Sequence, residues 1–213
     1  MIFQPKTPGG NVLAAVAISF AAIFAWSAYR SYDLFTWMLE VFPAVIGIGI
    51  LAATWRRFQF TTFIYGLIWA HAVVLCIGGH YTYARVPAFN WLRDTFHLSR
   101  NYYDRVGHFF QGLVPTMIAR ELMMRLKVFR RRSWMPFVLL SIALAISAAY
   151  ELLEWQVAAW SGARAEDFLG TQGDVWDTQE DMATCLVGAV CGLVMLSRHH
   201  DRQMGAADGG SVQ

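Results

Sequence analysis

Charge is what this chain has least of. Asp, Glu, Lys and Arg make up 15% of its 213 residues, against about 25% in ordinary soluble domains. Cysteine is scarce too: Cys76, Cys185 and Cys191 fall inside apolar runs and form no CxxC pair. That excludes a disulfide framework or a thiolate metal site and leaves the redox compartment open. HExxH, GxSxG and a helical pair of ExxH motifs are all missing, so the familiar zinc-protease, serine-hydrolase and di-iron signatures are excluded. There is no internal repeat. The N-terminus has no short apolar core followed by a small-residue cleavage site, so 11–29 reads as a retained first span and not a removed signal.

What is present is apolar. The chain is 56% hydrophobic and 15% aromatic, with a mean hydropathy of +0.38. Six runs, near 11–29, 35–54, 60–79, 106–125, 134–156 and 180–197, are long enough to cross a bilayer. They lack the alternation of barrel strands, and amides in lipid must be bonded within their own segment, so helices follow. The expectation is one all-α domain, a polytopic transmembrane bundle spanning 1–213 with a polar tail at 198–213. Lys6, Arg56, Arg57, Arg125, Lys127, the Arg130–Arg132 block, Arg198 and Arg202 fall on one side of that topology. The positive-inside rule makes that side, with both termini, cytoplasmic. These basic residues read as topology anchors; membrane lipids are the expected partners, and nucleic acid is not. Trp26, Trp37, Trp55, Trp91, Trp134, Trp155 and Trp176 cluster near span ends, as an interfacial belt should.

The first two spans read as scaffold, with Glu40 their one carboxylate. From His80 onward the character changes. Residues 80–105 are polar and aromatic, and Phe89, Leu92 and Phe96 recur at the spacing of a short interfacial helix; an irregular aromatic loop is the alternative. Asp104, His108 and Gln111 share a helical face at the outer start of the fourth span. Ser147, Glu151 and Glu154 share one at the outer end of the fifth. Asp174, Asp177 and Asp181 form a stripe opening the sixth. Several span ends thus deliver polar groups to one leaflet, and ionisable groups at membrane depth mark a functional site by default.

Carboxylates so crowded cannot all stay ionised unaided. Bound cations, arginine partners (Arg85, Arg105 and Arg164 lie on the same side) or protonation would each relieve them. On the cation reading, His80, Asp104, His108, Glu151, Asp174, Asp177 and Asp181 supply candidate ligands for a divalent metal ion, with His108, Glu151, Asp177 and Asp181 the core set. Glu154 would act as general base, and Tyr81 or Arg105 would stabilise developing oxyanion charge. Gln111 and Gln172 would line the pocket. The substrate would be a lipid or envelope precursor at headgroup depth. On the arginine reading the cluster is a structural polar network. On the proton reading the protein is a carrier, with Glu121 beside Arg120 on the path. Other features have simpler readings. Gly188 and Gly192 pack helices closely, His71 is a packed histidine, and Arg198, His199, His200 and Arg202 form a tail at the headgroups.

The segments HYTYA at 80–84, YDRVGHFFQG at 103–112, REL at 120–122, ELLEW at 151–155 and GTQGDVWDTQEDM at 170–182 resemble the YjdF-type family of bacterial inner-membrane proteins over most of the chain. That resemblance implies an inner-membrane location and a multi-span topology, and names no reaction. In the second half, Asp104 with His108, Ser147 with Glu151, and Asp177 with Asp181 are similar to the VanZ-like pattern of glycopeptide-resistance membrane proteins. Asp181 stands where that pattern has Asn, and Glu154 where it has Gln; both departures add negative charge.

Overall fold

The computed structural model describes residues 3–161 and 171–205. Every described element is helical. The helices are α1 (Gly10–Ala28), α2 (Leu34–Thr54), α3 (Thr62–Tyr81), the short α4 (Pro87–Phe96), α5 (Tyr103–Arg125), α6 (Met135–Ser161) and α7 (Asp177–Cys191). A π-helical turn, Gly192–Leu196, carries α7 straight into α8 (Ser197–Gln203). Five stretches are long and apolar enough to cross a membrane: α1, α2, α3, Arg132–Trp160, and Asp177–Gln203. Five of the six expected spans lie within a few residues of these stretches, the last continuing through 198–203 where a polar tail was expected; the fourth, 106–125, falls on α5, which is not among the five.

Local chemistry sets the ends. Asp33 caps α2, its carboxylate accepting from the Thr36 amide at 2.7 Å, and Thr61 caps α3 from its hydroxyl. Pro87 opens α4, where its missing N–H costs nothing. The 80–105 segment therefore contains a helix, but its apolar stripe is not uniformly docked. Phe89 packs edge-on to Tyr103 at 5.2 Å, while Trp91 and Phe96 are exposed.

The centre of the bundle is α5. It packs against α3, α6 and most extensively α7, so it is the helix least in need of an apolar surface. Between Arg105 and Arg120 it carries no Asp, Glu, Lys or Arg. The α5–α7 contact is close because glycines face it. A Cβ at Gly112 would run into the Cys185 carbonyl, and one at Gly188 into the Phe109 carbonyl. Gly188 thus works within the molecule, as expected, and Gly112 is its counterpart on α5. By contrast α1 and α2 make their main helix contacts with α3 alone among the described residues.

The segment before α1 meets the end of α8. The Lys6 amide donates to the Gln203 carbonyl at 2.8 Å, and the Thr62 amide donates to the Lys6 carbonyl at 2.9 Å. At this end His200 is fully buried, which overturns the reading of 198–202 as a headgroup tail. It is held there by Glu121. That carboxylate, itself fully buried, accepts from the Thr61 amide (3.0 Å), the Thr61 hydroxyl (2.8 Å) and Arg125 (2.6 Å), and contacts His200 Nε2 at 2.9 Å. Arg120 reaches His200 Nδ1 at 3.1 Å and Asp201 at 2.7 Å. The polar pair Arg120 and Glu121 of α5 is a clamp joining α3, α5 and α8.

Candidate polar site at the α5–α7 mouth

One turn from the Gly112–Cys185 contact, at the opposite end from that clamp, the first turns of α5 and α7 come together. Close backbone approach places Asp104 and His108 of α5 beside Asp177 and Asp181 of α7. Two arginines hold the pairing. Arg100, 4% exposed, lies just before α5 and donates to Asp177 at 2.5 Å, to Asp174 at 3.3 Å and to the Thr171 carbonyl at 3.1 Å. Arg105 bonds Asp181, sits 3.0 Å from Asp177, and donates to Glu180 at 2.8 Å. Gln172 pins the approach to α7 through a reciprocal pair with the Asn101 backbone, accepting at 3.0 Å and donating at 2.9 Å. It is a tie between loops, and its role is not that of a pocket wall. Asp174 accepts from the Trp176 amide at 2.9 Å, ordering the turn before α7.

His108 is the geometric centre. Its Nδ1 lies 3.1 Å from Gln111 Oε1. An amide oxygen only accepts, so the hydrogen of that contact sits on Nδ1. Nε2 then faces Asp104 Oδ1 at 3.5 Å and Asp181 Oδ1 at 3.6 Å. One donor atom from each of Asp104, His108 and Asp181 falls within 4.8 Å of the others. Glu151 Oε1, buried and without a hydrogen-bond partner, is 3.8 Å from His108 Nδ1. Two carboxylates this close repel by about 3–4 kcal/mol at an effective dielectric of 20, and positive charge must offset that; Arg105, bonded to Asp181 and 3.7 Å from Asp104, supplies part of it.

The expected ligand set is therefore rearranged. Asp104 joins His108 and Asp181, while Asp177 and Asp174 turn to Arg100 and Arg105. His80 and Tyr81 belong elsewhere. His80 stacks on Trp26 at 4.5 Å and contacts the Ser27 carbonyl at 3.1 Å, with Tyr81 edge-on to it. They tie α3 to α1, because the last turn of α3 faces α1 and not α5. Arg105 is engaged by carboxylates through both terminal nitrogens. Arg85 lies over the Tyr32 ring at 4.0 Å. Arg164 falls outside the described residues.

Four contributors escaped the sequence reading. Arg100 stands four residues before Asp104, a spacing that signals a partner. Glu40, a lone carboxylate in an apolar helix, is the kind of residue that marks a site, yet it read as scaffold. It is buried, with the Tyr150 hydroxyl 3.5 Å away. Tyr83 and Tyr150 line the same cavity as Glu40, Asp104, His108, Gln111 and Glu154, and no periodicity announces them. Burial pushes the Tyr83 phenol well above its ordinary range, so it remains a hydrogen-bond donor.

Comparison with known proteins agrees with the membrane architecture. The family described as predicted membrane protein (DUF2238) matches residues 12–202. The inner membrane protein YjdF of Escherichia coli (strain K12) is 46% identical over 193 residues, covering 91% of this chain and 92% of that protein. No solved structure matches. The chain belongs to this family of membrane proteins, the YjdF-type family that its motifs resemble.

Proposed function

We propose that this member of the family is an inner-membrane protein that crosses six times with both termini cytoplasmic, and that it binds a divalent cation at the periplasmic mouth of α5 and α7. The reading that follows is a hydrolase or transferase acting on a lipid or envelope precursor. Six crossings require α5 to span. It is 23 residues long, its charged residues lie at its ends with partners, and the meeting of Lys6 with Gln203 requires an even number of passes. The Arg130–Arg132 block then falls at the same end as the termini, which the positive-inside rule makes cytoplasmic.

The observation that carries the ion centre is the convergence of Asp104, His108 and Asp181 while Gln111 holds the far nitrogen of the imidazole. Metal-bound histidines commonly donate their other N–H to an oxygen, which fixes tautomer and ring orientation. An imidazole with carboxylates suits Zn²⁺ or Mn²⁺. Such an ion would supply Lewis-acid charge and an activated water, and Glu154 remains the candidate base on the adjoining cavity wall.

A structural network is the competing account, favoured by the way Arg100 and Arg105 bridge the α5 and α7 acids. Ion titration of chelator-stripped protein separates the two. On the ion reading, wild type binds one equivalent of Zn²⁺ or Mn²⁺. His108→Ala abolishes that binding, and Arg105→Gln, which frees Asp181, tightens it by about tenfold, equivalent to ~1.4 kcal/mol. A folded wild type that takes up neither ion, together with an Arg105→Gln variant that only loses stability, would leave the network as the account.

A further inference from the structure

A cavity of about 260 Å³ lies between α2, α3, α5 and α6. Its length is apolar, walled by Ala44, Gly47 and Ile48 of α2, Ile68 of α3, and Val114 and Ile118 of α5. Its outer end is acidic, where Glu40, Asp104 and Glu154 meet with His108 and Tyr150. Because α2 packs mainly on α3, the α2–α6 side of this cavity lies where the bundle is open to lipid. Phe42 and Ile46 of α2 and Leu153 of α6 are exposed elsewhere on these helices, apolar surface suited to a bilayer.

Among the described residues, Glu40 and Glu154 at the outer end have no arginine partner, whereas Asp104 lies 3.7 Å from both Arg100 and Arg105. Glu154 is 8% exposed and shares the cavity lining with Glu40, Asp104 and His108. Glu40 is 4% exposed, and its one hydrogen bond among the described residues is the 3.5 Å contact from the Tyr150 hydroxyl. Buried carboxylates without a counter-charge are costly, and what complements them is a cation with several N–H donors. A metal ion would meet the charge but not the apolar shaft beneath. From Glu40 to Ile48 that shaft runs about 12 Å along α2 at 1.5 Å per residue, and in a bilayer it is filled by an acyl chain.

We propose that this cavity binds a membrane lipid with a primary-amine headgroup, its ammonium between Glu40 and Glu154 and one chain lying along Gly47, Ile68 and Val114. The rest of the lipid stays in the bilayer through the α2–α6 side. This supplies a substrate class for the reading above and rests on that reading only for its catalytic meaning, since lipid binding is measured apart from the ion. A second gap, about 700 Å³ between α1, α2 and α3, makes an internal control. Its lining, which includes Leu13, Phe20, Leu51 and Trp69, contains no Asp or Glu. It accepts chains without reading a headgroup.

Native mass spectrometry of the full-length protein in detergent, titrated with phosphatidylethanolamine or phosphatidylglycerol of identical chains, tests the assignment. Wild type is expected to retain one phosphatidylethanolamine at least tenfold more tightly than phosphatidylglycerol. The double substitution Glu40→Gln with Glu154→Gln is expected to bring the two lipids to parity. Gly47→Leu, at a position with open space beside its Cβ, is expected to abolish that single retention without lowering the unfolding temperature. Equal retention of both lipids by wild type would overturn the proposal whatever the variants do, as would undiminished selectivity in folded Gly47→Leu. Metal content of the same samples keeps the two claims apart. Ion-free protein that still selects phosphatidylethanolamine removes the ion centre alone, and ion-loaded protein that does not select removes the lipid site alone.

Discussion

Single side chains at the two ends of this bundle solve the same electrostatic problem differently. At the end where Lys6 meets Gln203, Glu121 is fully buried but completely served, with Thr61, Arg125 and His200 around its two oxygens. At the other end the acids outrun their partners, because Arg100 and Arg105 are shared among Asp104, Asp174, Asp177, Glu180 and Asp181. A saturated carboxylate is a structural element, and an undersupplied group of them is a candidate site. Glu121→Ala is therefore expected to cost about 3–5 kcal/mol, the penalty for stranding a buried charged partner. Thermal unfolding of the purified protein reads that loss, and an unchanged midpoint would show that Thr61 and His200 find other partners. The carrier reading of Glu121 loses its support, since the geometry commits this carboxylate to holding helices together.

The relation between α5 and α7 sets the site, and glycine sets that relation. Gly112 and Gly188 each meet a carbonyl of the opposite helix, one turn from His108 and two turns from Asp181. Gly112→Ala is expected to push the helices apart, at about 1–3 kcal/mol for overpacking, and to weaken ion binding without touching a ligand. Gly66→Ala, with open space around it, is expected to be neutral or to stabilise by ~0.5–1 kcal/mol through helix propensity. Paired melting and ion-titration curves would reveal either result. Helix periodicity made Asp104–His108–Gln111 and Asp177–Asp181 legible in the sequence, because i, i+3 and i+4 spacing is a property of one helix; Asp174, expected on the same stripe, lies in the turn before α7. Their partners were not legible. The rotation of α3 that turns His80 toward Trp26, and the stand-off of α2 that leaves Glu40 beside Tyr150, are decided by packing between helices. The π turn at Gly192–Leu196 likewise lengthens the last helix, bringing His200 under Glu121. No local pattern around His199 and His200 distinguishes this from a polar tail.

For the whole molecule, apolar length made the helical membrane class legible, and it placed 106–125 among the spans although α5 is less apolar than the five stretches that qualify. Enclosed by α3, α6 and α7, it is free to carry the polar residues that the outer helices cannot. With Lys6 and Gln203 joined at one end, cysteines placed at Trp91 and at Arg131 are expected to react with a membrane-impermeant thiol reagent from opposite faces, Arg131→Cys only from the cytoplasm. Labelling of both from one face would refute the six-pass topology and move the acidic mouth to the other compartment. The central claim is that the undersupplied acids at this mouth hold a divalent ion through His108. The visible absorption of Co²⁺-loaded, full-length protein tests it most directly, because ligand-field bands report imidazole and carboxylate ligation itself. One equivalent of Co²⁺ is expected to give a saturable spectrum that Zn²⁺ displaces, that His108→Ala and Asp181→Asn remove, and that Gln111→Ala weakens about 10–100-fold in affinity. A wild-type spectrum no different from aqueous Co²⁺, in protein that unfolds cooperatively, would contradict it.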